Sequence, residues 1–257
     1  FFFFFLGSMK KLIGIMTALA VIVILMAPTA QAEKLVVGHD TNFMPFEFKD
    51  PKTGEYVGFD IDMWKLIAKE LGLDYKLQAM DFNGLIPALQ TGNIDVAIAG
   101  MTIKSEREKV VDFAYPYYDA GLHILVRSDN DNIKSLEDLK GKVVATKLGT
   151  TSADFVKKRA NAKDVKLFPN IDGAYMELRT GGADAVLFDS PAVLYYSTTA
   201  GKGATKVVGP LYMGQSYGIA FPEGSDLREK VTITILKFME DGTYRELYKK
   251  WFGKEPI

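Results

Sequence analysis

One stretch of this chain occurs twice. LQTGNIDVAIAGMT (residues 89–102) is echoed by LRTGGADAVLFDSP (residues 178–191). Each reads Leu-x-Thr-Gly, then an aspartate three residues after the glycine, then an apolar run. That order describes a helix end, a glycine turn and a buried strand. A shorter pair agrees with it: LVVGHD (residues 35–40) resembles KVVATK (residues 142–147). The competing reading is chance likeness between common helix-turn-strand units. Together the echoes constrain the chain to two similar α/β halves. Each half opens with a strand and later presents a helix-turn-strand unit.

The rest of the chain keeps the same alternation. Residues 35–39, 75–80, 95–99, 123–127, 143–146, 165–168, 183–188, 207–208 and 217–221 read as strands. A helix is expected over 58–71, with Asp60 as N-cap and Gly72 as stop. Others are expected from Asn83 through Gln90, from Ser105, and from the capping-box-like Ser135-Leu136-Glu137-Asp138. Further helices start at Ser152, Asp172 and Pro191, and two close the chain over 226–239 and 243–251. Such alternation implies α/β layers with mainly parallel sheets.

Before this pattern begins, the sequence from Met9 has the layout of a signal peptide. Lys10 and Lys11 precede an apolar run to Ala27, and Ala30-Gln31-Ala32 is a small-x-small cleavage site. The expectation is a leader at 1–8, a signal peptide at 9–32 cleaved after Ala32, and a mature chain from Glu33 in the periplasm. The chain has no cysteine, which excludes a thiol nucleophile, a disulfide framework and a lipidated cysteine. Its two histidines, His39 and His123, give no basis for a multi-histidine metal site. With 31 basic and 32 acidic residues, nothing calls for nucleic acid or an anionic membrane as partner.

In open α/β sheets, ligands sit beyond the carboxyl ends of the strands. Here those ends carry Asp40, Gly100 to Thr102, Lys147 to Thr151, and Asp189, two groups from each half. If the halves face one another, these groups converge on one cleft. Thr102 and Arg107 would suit a carboxylate, since guanidinium offers a planar fork; the alternative is a solvated helix charge in SEREK. Gly149-Thr150-Thr151-Ser152 precedes a helix and offers free amides, or plain N-capping. Asp189 could hold an ammonium or cap the helix starting at Ser190-Pro191. Asp40 and Lys147 could contact a polar ligand side chain or each other. Phe43 and Phe82 could flank an aliphatic stem or belong to the core. No nucleophile-base pair, cofactor motif or metal cluster stands out, so the expectation is capture without chemistry: no catalytic residue, no cofactor and no metal.

These residues together resemble the periplasmic polar amino-acid-binding proteins of ABC importers, and within them the glutamine-binding branch. The likeness runs through LVVGHDTNFMPFEF, VGFDIDMW, MDFNGLIPALQTGNIDVAIAGMTIKSERE, KVVATKLGTTS, FPNIDGAYMELRTGGADAVLFDSP, YGIAFPEGS and GTYRELYKKWFG. It implies an α/β, type II periplasmic-binding-protein-like fold, related to that of ligand-gated ion channels. Two lobes are joined by two hinge strands, with the ligand in the cleft. Lobe one would be 33–117 plus 217–257, lobe two 121–212, and the hinges 118–120 and 213–216. By resemblance, Arg107, Thr102 and the Thr151 amide take an α-carboxylate. Asp189 and the Gly100 carbonyl take an α-ammonium. Phe43 and Phe82 pack on the side chain, and Asp40 and Lys147 read a terminal carboxamide, one accepting and one donating. The implied partners are a free amino acid, glutamine first and arginine second, and a membrane permease, met by a monomer. Two positions depart from the glutamine pattern. Phe188 stands where histidine is expected, and Thr151 stands where glycine is expected; threonine there looks more like binders of arginine and of lysine-arginine-ornithine. Rival expectations on the same scaffold are a cyclohexadienyl dehydratase-like enzyme and a sensory ligand-binding domain.

Overall fold

The computed structural model describes residues 34–256, so the expected leader, signal peptide and Glu33 lie outside the described residues. Along the chain run β1 (Leu35–Asp40), a hairpin of β2 (Phe48–Lys49) and β3 (Tyr56–Val57), α1 (Phe59–Leu71) and β4 (Tyr75–Met80). A turn of 3₁₀ helix at Phe82–Gly84 leads into α2 (Leu85–Gln90), followed by β5 (Val96–Ala97), α3 (Ser105–Glu108) and β6 (Asp112–Phe113). Then come β7 (Tyr118–Arg127), β8 (Val143–Lys147), α4 (Thr151–Arg159), β9 (Asp164–Phe168), α5 (Ile171–Arg179), β10 (Ala185–Asp189) and α6 (Ser190–Thr198). The chain closes with β11 (Thr205–Tyr217), β12 (Ala220–Phe221), α7 (Asp226–Asp241) and α8 (Thr243–Phe252).

Two five-stranded sheets organise these elements, in the orders β4-β1-β5-β12-β6 and β11-β7-β10-β8-β9. The sequence pattern predicts mainly parallel sheets; both are mixed. β1 runs parallel to β4 and β5, but β12 is antiparallel to β5 and β6. In the second sheet β8 is parallel to β9 and β10, while β7 is antiparallel to β10 and β11. The antiparallel members are the chain's returns between lobes, which carry no helical crossover to enforce parallel pairing.

The repeated sequence makes the same backbone device in each lobe. The Asp95 carboxylate accepts from the Val36 amide at 2.7 Å, and Asp184 accepts from the Val143 amide at 2.8 Å. Each aspartate amide returns a bond to the same strand residue, at 2.8 Å in both cases. The preceding glycines, Gly92 and Gly181, both sit at positive φ, 71° and 83°, to end their helices. This tie fixes the register of β1 against β5 and of β8 against β10. It therefore fixes which residues emerge at the strand ends.

β7 and β11 join the lobes. They pair antiparallel from Tyr118↔Tyr217 through Asp119↔Ser216 to Ala120↔Gln215. Below that pairing, Tyr217 bridges Thr102 and the Gly218 amide donates to Met101, so β11 delivers the chain back to the first sheet. Aromatic rings pack around this crossing: Tyr118 stacks on Tyr217 at 5.7 Å and on Tyr248 at 5.8 Å. A buried aromatic cluster here gives the crossing strands a stiff base.

Several local expectations are corrected. Gly58, not Asp60, occupies the N-cap of α1. Its φ is 138°, and a Cβ there would lie 1.9 Å from the Phe46 carbonyl oxygen, so only glycine fits. Asp60 turns inward and is fully buried. Neither Asn83 nor Ser105 makes a side-chain cap. Ser135–Asp138 does not open an α-helix; Asp138, within a single 3₁₀ turn at Glu137–Leu139, accepts from the Lys134 and Ser135 amides. The expected strands at 207–208 and 217–221 are one long β11 ending at Tyr217 and a separate β12. β11 runs through Gly209-Pro210 with a register shift against β7 between Val208 and Tyr212.

Candidate functional site

The strand ends of the two lobes face each other across one cleft. It is lined by Asp40, Phe43, Phe82, Ala99, Gly100, Thr102 and Arg107 from the first lobe, and by Lys147, Thr150, Thr151, Phe188 and Asp189 from the second. All nine residues expected from the sequence lie on it. Side chains of the two lobes meet across it, Asp40 with Lys147 among them, and the cavity left between them is about 20 Å³.

From the first lobe, Arg107 projects out of the single-turn α3 and is buried, which rules out the solvated-charge reading. Its guanidinium donates to the Thr102 carbonyl at 2.8 Å and crosses the cleft to the Gly149 carbonyl at 3.2 Å. Burial pulls its pKa down to about 10, and the negative charges of Asp189 and Asp154 counter that pull. It remains a cation at neutral pH. Its charge sits 5.3 Å from the centre of the Phe82 ring. Gly100 adopts φ 52°, and a Cβ there would come within 2.3 Å of the Phe43 ring. The Gly100 amide is held by the buried Asp60 carboxylate at 2.8 Å, which also accepts from the Tyr117 hydroxyl at 2.8 Å.

The second lobe answers with Asp189, Lys147 and the start of α4. Asp189 sits at the N-cap position of α6 but makes no side-chain cap. Its carboxylate accepts from Ser152 at 2.9 Å and from Tyr217 at 2.6 Å. Burial pushes its pKa up; the Tyr217 and Ser152 bonds and the charges of Arg107 and Lys147 pull it back. Thr150 is the N-cap of α4, accepting from the Ala153 amide at 3.2 Å, so plain capping holds for that residue. The neighbouring Thr151 hydroxyl donates to Gln215 at 2.8 Å.

Asp40 and Lys147 form an ion pair across the cleft, each about 1% exposed. They close β1 and β8, the two strands that the second echo aligns. Behind Asp40 lies a second buried acid, Glu47, whose pKa is pushed well up by burial and by the charges of Asp60 and Asp40. Asp60 is likewise pushed up to about 6 by burial. Both acids are buried and hold their protons more tightly than exposed carboxyls would.

Beyond the nine, the cleft includes Ala99, Thr150 and Phe188, and Asp60, Tyr117, Ser152, Gln215 and Tyr217 buttress it. Sequence reading places Thr150 and Ser152 at the start of a helix but misses Asp60, Tyr117, Gln215 and Tyr217, whose partners are distant along the chain. The only sequence signal for Asp60 is its place in GFDID, where it looks like a cap.

Two mixed α/β sheets joined by paired strands, with a charged cleft between strand ends, define a type II periplasmic-binding-protein-like fold. The family model for bacterial extracellular solute-binding proteins, family 3, matches residues 35–254, and this chain belongs to that family. The chain is 38% identical over 229 residues to the ABC transporter glutamine-binding protein GlnH of Bacillus subtilis (strain 168), covering 87% of this chain and 83% of that protein. An ancestral arginine-binding protein is similar in two solved states. Bound to arginine, it gives 48% identity and a TM-score of 0.81 over 85% of this chain and 98% of its own; bound to glutamine, 49% and 0.82 over 86% and 98%. A further similar structure is the ancestral amino acid-binding protein AncCDT-1, a precursor of cyclohexadienyl dehydratase. It is 43% identical, with a TM-score of 0.79 over 85% of this chain and 95% of its own.

Proposed function

We propose that this chain captures one free L-amino acid between its lobes in the periplasm and delivers it, as a monomer, to the permease of an ABC importer. One observation carries the reading most. Arg107 and Asp189 are buried opposite charges, contributed by opposite lobes to one cleft, and neither is spent on a tight pair with the other. A zwitterion supplies the missing partner to each. Arg107, the Thr102 hydroxyl and the Thr151 amide take the α-carboxylate; Asp189 and the Gly100 carbonyl take the α-ammonium. Because the two charges sit on different lobes, a bound ligand bridges them and shifts the protein toward the closed form. In this reading 33–117 with 217–257 forms lobe one and 121–212 lobe two, hinged at 118–120 and 213–216.

Phe43, Phe82 and Phe188 give the side chain an aromatic surround, and Asp40 with Lys147 lies at its end. A carboxamide can insert into that pair, donating to Asp40 and accepting from Lys147. A guanidinium only donates, so it suits Asp40 but requires Lys147 to withdraw. Glutamine is therefore the first ligand and arginine the second, and likeness to a glutamine-binding relative and to an ancestral binder solved with both supports this pair. Calorimetry of ligand-stripped protein with glutamine, arginine, lysine, histidine and glutamate tests the reading; no binding of any of them would overturn it. Likeness to a dehydratase precursor motivates one added assay, for turnover of prephenate or arogenate. We expect none, since no acid or base in the cleft is free of an ion pair or a positioning bond.

A further inference from the structure

Asp189 depends on a residue that belongs to the other side of the cleft. Tyr217 ends β11 where that strand has already returned to the first lobe: its backbone bridges Thr102, and its carbonyl accepts from the Tyr117 amide at 2.9 Å. Its ring is fully buried against first-lobe aromatics, 5.5 Å from Phe46 and 6.1 Å from Phe43. Its hydroxyl nevertheless reaches Asp189 on the second lobe at 2.6 Å, a length typical of a hydrogen bond to a charged acceptor. Burial, together with the Asp189 charge, holds the Tyr217 phenol well above its ordinary pKa, so it stays a donor at every working pH. Ser152 occupies the other carboxylate oxygen at 2.9 Å, and the Gln215 amide approaches the same oxygen as Tyr217 at 3.3 Å.

We infer that Tyr217 is a positioning residue that holds the Asp189 carboxylate toward the ligand's α-ammonium in the closed cleft, tying ammonium capture to lobe closure. This rests on the reading of Asp189 given above. Rotation about the crossing strands moves the Tyr217 backbone with one lobe and Asp189 with the other. The bond that steadies the acid therefore belongs to the closed form, and it slows release without affecting entry.

Tyr217→Phe tests this, because it keeps the buried ring and removes only the hydroxyl. Binding is measured for L-glutamine and L-arginine, and for glutaramate and 5-guanidinopentanoate, which lack the α-amino group. The expected loss for the amino acids is about ten- to a hundredfold, the range for a hydrogen bond to a charged group. It should fall mainly on the dissociation rate and be much smaller for the deaminated analogues. Unchanged amino-acid binding, or an equal loss for both ligand classes, would overturn the inference. Thermal melts of the ligand-free variant separate these results from misfolding. Asp189→Asn, measured alongside, separates the two levels of the argument. If it binds like the parent, the Asp189 reading itself fails. If it loses binding while Tyr217→Phe does not, only the role of Tyr217 fails.

Discussion

The two halves of the cleft share a scaffold and differ in chemistry. Asp95 and Asp184 make the same two bonds to the first strand of their lobes, to within 0.1 Å. At the tips of those strands the residues diverge: Asp40 faces Lys147. Gly100 of the first echo aligns with Asp189 of the second, one offering a backbone turn and the other a carboxylate. The difference teaches that the repeated part sets where side chains emerge, while the unrepeated tip sets what they bind. Scaffold and tip residues should therefore fail in different ways.

The largest effects are expected at the tips. Arg107→Met and Asp189→Asn should each weaken amino-acid binding by at least about a hundredfold, since each leaves one charge of the ligand buried without its partner. Ligand-free melting temperatures should move far less than affinity. A large stability loss with intact binding would make these residues scaffold and break the comparison.

Lys147→Met should sharpen it. Removing the cation leaves Asp40 to a ligand donor, so the arginine-to-glutamine affinity ratio should rise about tenfold or more, read by calorimetry. Unpaired Asp40 should also lower the stability of the ligand-free protein, because breaking a buried pair costs about 3–5 kcal/mol. Phe188→His should shift the same ratio the other way, toward glutamine, and an unchanged ratio would count against a role for this position in selectivity.

At the scaffold, Asp95→Ala and Asp184→Ala should each cost about 1–3 kcal/mol in chemical denaturation, each leaving a strand amide without its acceptor. The comparison requires the two losses to be similar and the ligand ratio to stay unchanged.

Much of this division was legible in the sequence. The repeat could be read because a helix stop, a glycine at positive φ and an aspartate tying back to a strand each demand particular residues in fixed order. The tips could be read because ligands gather at strand ends. What was not legible rests on pairings across long separations. Asp60 looks like a cap until Gly100 and Tyr117 are placed beside it. Tyr217 looks like a strand residue until the crossing of β11 brings its hydroxyl to Asp189. The mixed sheets were missed for the same reason, since local patterning cannot tell a returning strand from a crossover strand.

The smallest expected effect concerns the acids under the first lobe's tip. Burial raises the pKa of Asp60 above its unfolded value, and Glu47 behaves alike. The folded state therefore holds protons that the unfolded chain releases as pH climbs from about 4 to 6, and their contribution to stability declines across that window. Asp60→Asn keeps an acceptor for Gly100 and Tyr117 and abolishes one titration. Relative to the parent it should gain stability between pH 4 and pH 7, by urea unfolding at each pH. A gap that narrows with rising pH would show that the acids are ionised when folded.

The central claim is that opposite charges on opposite lobes close around one zwitterion. Its most direct test is small-angle X-ray scattering of ligand-stripped protein, with glutamine and then arginine titrated in. The account predicts a fall in radius of gyration that saturates at one ligand per chain for at least one of them, and that disappears in Asp189→Asn. Binding with no change in dimensions, or closure that survives Asp189→Asn, would contradict it.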